Sequence, residues 1–197
     1  MNRRDAIRMG LLLTGYSVLA RPQLAAAAPA GGFVTLFDGK NLDNFDQIGN
    51  ANWRIVDGAV QANIGNGFLV SKQSYKDFIL RVEVWVDEPA NSGVFIRAQN
   101  PLNMGGGTSY ECNIFDTRPD PSYGTGAIVG VAKVDPMPKA ANKWNVMEIE
   151  ARGPNMQITF NGKVTSKGSD GKNPQGRFGL QYGGGIVRFR KVEIRTL

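Results

Sequence analysis

Glu83, Arg97, Glu111, Asn113 and Gln181 each interrupt an otherwise apolar segment, and with Asp116 they are the residues of this chain whose types and spacing could do chemistry. The 197-residue sequence has no histidine and a single cysteine, Cys112. An internal disulfide and a cysteine-based zinc site are therefore excluded. Proton transfer or charge stabilisation must come from carboxylates, lysine, arginine, tyrosine or a hard cation. Carboxylates and amides hydrogen-bond hydroxyl groups and an aromatic ring stacks on the C–H face of a sugar, so a surface combining Glu83, Trp85, Arg97, Glu111, Asn113 and Gln181 would suit a carbohydrate.

Strands must position these side chains. Twenty-five glycines and ten prolines accompany many short alternating runs, which points to an all-β antiparallel sandwich rather than to helices. Runs are expected at 53–56, 59–62, 68–70, 78–86, 93–98, 110–115, 127–131, 144–150, 156–160, 179–182 and 187–194. Asp57-Gly58 and Asn161-Gly162 sit between runs as tight hairpin turns. Successive strand side chains point to opposite faces. Leu80, Val82, Val84 and Val86 thus form a core column, with Arg81, Glu83 and Trp85 behind it. Val94 and Ile96 face inward and set Phe95 and Arg97 outward, Cys112 and Ile114 do the same for Glu111, Asn113 and Phe115, and Gln181 lies opposite Leu180 and Tyr182. If these strands are neighbours, the polar residues converge on one outer sheet surface. The plainer alternative stays open: outward faces of antiparallel sheets are polar anyway, and cross-strand Glu–Arg pairs contribute roughly 0.2–1 kcal/mol as ordinary sheet stabilisers. Cys112 reads as a small buried hydrophobe, and Trp53 and Trp144 as core anchors.

The amino-terminal 30 residues differ from the rest. Arg3, Arg4 and Arg8 precede a mostly apolar run from Met9 to Ala20, too short for a membrane span of about 20 residues, and Ala25 to Ala30 supply small residues for cleavage. Residues 1–30 are expected to be a secretion signal, by the twin-arginine or the general route, and residues 31–197 one mature domain without a membrane segment, periplasmic or secreted. Arg3, Arg4, Arg8, Arg21 and Asp5 would leave with it, lowering the formal charge from +6 to +3. The remaining basic residues are scattered, which argues against a nucleic-acid partner.

Several segments together resemble the 3-keto-disaccharide hydrolase domain family, built on the concanavalin A-like lectin and glucanase sandwich (jelly roll). They are Leu36 to Leu42 (LFDGKNL), Trp53 to Val60 (WRIVDGAV), Tyr75 to Glu83 (YKDFILRVE), Asn91 to Arg97 (NSGVFIR), Tyr110 to Asp116 (YECNIFD), Gly179 to Gln181 (GLQ) and Val187 to Ile194 (VRFRKVEI). The resemblance implies cleavage of glycosides whose C3 hydroxyl has already been oxidised to a ketone by a separate sugar 3-dehydrogenase. A C3 ketone acidifies the C2 proton, so a carboxylate can abstract it and the enolate can expel the C1 substituent, with water added afterwards. By position the family's motif residues fall on Glu83, Arg97, Glu111 and Asp116. Glu111 is expected as general base or cation ligand, Asp116 as its partner and Arg97 as enolate stabiliser, while Glu83, Trp85, Asn113, Gln181 and Tyr182 contact the sugar. Asp116 lies five residues after Glu111, so a bulge or strand end is needed to bring it to the same side. A calcium or magnesium ion held by Glu83, Glu111 and Asp116 would suit these oxygen ligands. Two positions depart from the family: Tyr182 stands where many members have histidine, and Val129 where a tyrosine is frequent. A carbohydrate-binding protein without turnover, or a scaffold that binds protein through its sheet face, are the competing functions.

Overall fold

The computed structural model describes residues 31–105 and 107–197; the expected signal segment, residues 1–30, lies outside them. Thirteen strands follow in chain order: β1 (Val34–Phe37), β2 (Phe45–Gly49), β3 (Arg54–Val56), β4 (Ala59–Ala62), β5 (Gly67–Ser71), β6 (Phe78–Val86), β7 (Asn91–Ala98), β8 (Tyr110–Ile114), β9 (Trp144–Arg152), β10 (Asn155–Phe160), β11 (Lys163–Ser169), β12 (Arg177–Gly184) and β13 (Val187–Thr196). One 3₁₀ turn, Pro121–Tyr123, is capped by the Asp120 carboxylate. The strands form two antiparallel sheets. The larger has the order β11-β10-β9-β6-β13-β4-β3, with β1 also paired to β13, and the smaller has the order β2-β5-β12-β7-β8.

The expected hairpin turns are present, and their geometry explains their residues. Asp57 and Gly58 have φ of 52° and 71°, and Asn161 and Gly162 have 50° and 80°. Positive φ at both central positions is the twist a two-residue hairpin needs, and Asn, Asp and Gly adopt it most readily. The core columns also lie where alternation puts them: Leu80, Val82, Val84, Val94, Ile96, Cys112, Ile114 and Leu180 are fully buried between the sheets. Trp53 is a core residue, its ring edge-on to Tyr182 at 6.3 Å.

Four expectations are corrected. Residues 127–131 are not a strand but a turn fastened to β8 by an isolated bridge from Ile128 to Cys112; Gly126 and Gly130, with φ of 85° and 73°, bend it. Trp144 is half-buried on the outer face of the larger sheet, beneath the Arg190 guanidinium. Glu83 and Trp85 belong to β6, in the centre of the larger sheet, whereas Glu111, Asn113 and Gln181 lie on the smaller one. Their polar columns therefore face away from each other across the sandwich.

Arg97 is the fourth. Between the β12 pairs Gly179–Phe95 and Arg177–Ala98, β7 carries one residue more than its partner, and Arg97 takes φ of 54°. This bulge takes the side chain out of the outward column, and Arg97 is fully buried. Its guanidinium donates from Nε and Nη2 to Lys76 O at 3.0 and 2.7 Å, from Nη1 to Gly153 O at 2.6 Å and from Nη2 to Asp77 Oδ1 at 3.1 Å. Asp77 Oδ1 also accepts from Gly153 N at 2.8 Å. Lys76 and Asp77 lead into β6 and Gly153 joins β9 to β10, so one cation of the smaller sheet clasps two connections of the larger. Removing a buried, hydrogen-bonded charge partner typically costs about 3–5 kcal/mol. Arg97→Met is expected to lower stability by roughly that much, measured as a drop in denaturation midpoint with an unchanged m-value.

Candidate functional site on the smaller sheet

The outer face of the smaller sheet is read from its register. One row runs Glu111 (β8), Phe95 (β7), Gly179 (β12), Val70 (β5) and Asp46 (β2). The next runs Asn113, Gly93, Gln181, Phe68 and Ile48 across the same strands. Phe68 and Phe95 meet edge to face at 5.1 Å. Glycines keep the surface low in the middle. A Cβ on Gly179 would sit 2.6 Å from Met104 Sδ, so its absence lets the β7–β8 loop lay Met104 on the sheet.

Gly93 separates two side-chain amides. A Cβ there would lie 3.1 Å from Cys112 O and 3.4 Å from Gln181 Oε1. Asn113 is fully buried and donates from Nδ2 to Tyr123 O at 2.7 Å, but its Oδ1 has no hydrogen-bond partner among the described residues, and neither does the buried Gln181 Oε1. An unpaired buried acceptor costs about 1–3 kcal/mol. Both oxygens are closed to solvent, so this cost is carried inside the packed face.

Glu111 lies at the edge of this face, in a cavity of about 310 Å³. Phe95, Ser109, Val129, Lys172 and Asn173 are among the residues that line it. The Glu111 carboxyl is half-buried; desolvation pushes its pKa upward, and the charge of Arg118 opposes that only in part. Beside it Tyr110 donates its hydroxyl to Asp170 Oδ1 at 2.8 Å and accepts from Asn173 N at 2.9 Å, which fixes the Asp170–Asn173 wall against the strand. Lys172 forms no ion pair among the described residues, and its ammonium lies 2.8 Å from where a Cβ of Gly107 would stand, at the rim. Lys172, Asn173 and Ser109 carry no strand periodicity and no motif, so nothing in their own segments marks them.

Of the residues expected to form one site, Glu111, Asn113 and Gln181 share this face. Asp116 does not join them. Strand β8 ends at Ile114, and the Asp116 carboxylate turns to the neighbouring loops, where it accepts from Thr125 Oγ1 at 2.6 Å, Ala140 N at 2.8 Å and Ala141 N at 3.0 Å. It is a buried loop anchor with its acceptor positions occupied. Arg97 is sealed inside as described, Glu83 and Trp85 are on the other sheet, and Tyr182 points into the core, its hydroxyl on Gly185 O at 3.1 Å. The set Glu83, Glu111 and Asp116 therefore does not assemble around a cation, and no other cluster of three metal-binding side chains exists among the described residues. No helix of the described residues is long and apolar enough to cross a membrane.

A profile of the 3-keto-alpha-glucoside-1,2-lyase-like domain matches residues 32–195. None of the curated proteins matches the chain. Among solved structures, two proteins of Parabacteroides distasonis ATCC 8503, each described as a candidate glycosyl hydrolase, superpose with TM-scores of 0.67 and 0.74. They are 24% and 17% identical, covering 85% and 84% of this chain and 100% and 94% of theirs. The carbohydrate-binding module CBM66 of Bacillus subtilis, at 18% identity, covers 79% of this chain and 98% of its own, with a TM-score of 0.61. The β-glucanase of Bacillus licheniformis, at 12% identity, covers 85% and 99% with a TM-score of 0.59. These likenesses establish a shared jelly-roll sandwich.

The desolvation of Glu111 gives a stability test. A carboxyl whose pKa is raised on folding binds its proton more tightly in the native state, so its burial weakens the fold above the folded pKa and costs nothing below the unfolded one. Glu111→Gln is expected to raise the melting temperature at pH 7.5 and to lose that advantage as the pH falls through the raised native pKa to 4.5, with no difference remaining at lower pH, as followed by thermal melts across that range.

Proposed function

The chain belongs to the 3-keto-alpha-glucoside-1,2-lyase-like domain family, and on that premise we propose that it cleaves glycosides bearing a C3 ketone, with Glu111 as the general base. The observation that carries this is the half-buried Glu111 carboxyl, raised in pKa by desolvation and opening into a cavity that Lys172 also lines. A raised pKa brings a carboxylate nearer to the operating pH, where proton abstraction is most effective.

In this reading the sugar enters the Glu111 cavity, where Phe95 and Val129 offer apolar contact to its C–H face and Ser109 and Asn173 polar contact to its hydroxyls. Glu111 takes the C2 proton, and the electron pair of that bond forms the C2–C3 enolate with its negative charge on O3. Arg97, buried in its clasp, is replaced in the role of stabiliser by Lys172, whose ammonium lies at the cavity rim. Collapse of the enolate restores the C3 carbonyl, forms the C1–C2 double bond and expels the C1 oxygen, which leaves as an alcohol once protonated. Addition of water across C1–C2 completes net hydrolysis. The ketone must be installed beforehand by a sugar 3-dehydrogenase, and the signal-like amino terminus supports a periplasmic or secreted setting.

Binding without turnover is the second reading, favoured by the likeness to a carbohydrate-binding module and by Val129, which gives the Glu111 cavity an apolar wall. Release of p-nitrophenol from a p-nitrophenyl 3-keto-glucoside separates the two. Wild-type turnover that falls about 10²–10⁴-fold in Glu111→Gln is expected for a general base. Calorimetric binding of the same compound with no product release would instead establish the binder, and full activity in Glu111→Gln would remove Glu111 from the mechanism.

A further inference from the structure

On the opposite side of the sandwich, the outer face of the larger sheet carries a regular cross-strand row. Trp144 on β9 faces Trp85 on β6, Trp85 faces Arg188 on β13, and Gln61 on β4 stands between Arg188 and Arg54 on β3. The Arg188 guanidinium lies 5.1 Å from the Trp85 ring centroid and donates from Nε to Gln61 Oε1 at 2.7 Å. Arg190, the extra residue of a β13 bulge, reaches across β6 to lie 4.3 Å over Trp144, with its Nε on Glu83 at 2.5 Å. Farther along β13, Arg195 and its neighbour Arg81 both cover Phe33, at 5.3 and 4.1 Å. Four guanidinium–ring stacks on one face exceed the two or three expected in total for a chain this long. Contact with a ring restrains a normally mobile guanidinium, which lowers the entropy lost when that group takes a ligand.

The charges of this face do not cancel. Glu83, Glu148, Glu150 and Glu193 each have a basic partner, but Arg54, Arg188, Lys167 and Arg195 form no ion pair among the described residues. A depression beside Arg190, lined also by Asp38, Gly58 and Lys191, adjoins the row. From Arg188 to Arg195 the unpaired cations span roughly 20 Å along an extended strand.

We propose that this face binds an acidic polysaccharide, with Arg188 and Arg54 pairing its carboxylates at one end and Arg195 at the other. Bidentate geometry makes arginine the natural reader of planar carboxylates. The interleaved glutamates favour a chain with charges spaced one sugar apart over a continuously negative surface, which would meet Glu83, Glu148 and Glu150 as well. This site is separate from the Glu111 cavity and independent of the proposed turnover there.

The test is affinity electrophoresis of the whole protein through gels containing polygalacturonate or dextran. Retardation by polygalacturonate alone, abolished at high salt, is expected. Arg188→Gln with Arg190→Gln should weaken it about tenfold, in line with the loss of charge-assisted hydrogen bonds, and the exposed Arg54→Gln serves if the double variant melts early. Glu83→Gln, which frees Arg190 from its carboxylate, should tighten binding. Equal retardation by dextran, unchanged binding in Arg54→Gln and in the folded double variant, or tighter binding to duplex DNA or phosphatidylglycerol vesicles at the same ionic strength would each overturn the proposal.

Discussion

A single buried cation joins the two sheets. The Arg97 guanidinium, carried by the smaller sheet, donates to carbonyls at two connections of the larger one and pairs with Asp77, whose carboxylate also holds Gly153 N. The β7 bulge that makes this possible begins directly after Phe95, the residue opposite Glu111. The clasp therefore fixes both the spacing of the sheets at that end and the place where the outward column of β7 stops. Everything on the smaller sheet's surface is measured from it. A charge this deep is tolerable because its donors meet fixed acceptors rather than a hydrocarbon wall.

The sandwich itself was legible from alternation and turn chemistry. Leu80 through Val86 could only be a strand with one buried column, and Asp57-Gly58 and Asn161-Gly162 could only be tight turns. Sheet membership was not legible. Alternation tells which side of a strand a residue takes, but the polar columns of β6 and β8 look alike in sequence, and nothing local says that β6 pairs with β9 and β13 while β8 pairs with β7. Glu83 and Trp85 therefore read in sequence as companions of Glu111, although they lie on the other sheet. The sequence did not reveal β1, β2 or β11: β1 is only four residues long, and in the other two Asp46, Gln47, Thr165 and Ser166 give little hydrophobic contrast at sheet edges.

The candidate site was half visible. Glu111, Asn113 and Gln181 follow from strand parity, since none of the three lies beyond a bulge. Arg97 and Asp116 carry the same chemical label in sequence, but one lies in a bulge and the other past a strand end, and each turns to backbone partners instead. The remaining walls, Ser109, Val129, Lys172 and Asn173, come from three loops far apart in the chain, whose approach depends on the closure of the whole sandwich.

That division of labour between sheet and loops has an evolutionary consequence. The acid and its neighbouring amides sit on strands whose opposite sides are core, so they can change only within limits set by packing. The enclosure around them is made of connections outside the regular ladders of the sheets, although the Val129 turn is bridged to β8. Such a design lets selection exchange the walls while keeping the reactive group in place, so preference for one sugar over another can drift without putting foldability at risk.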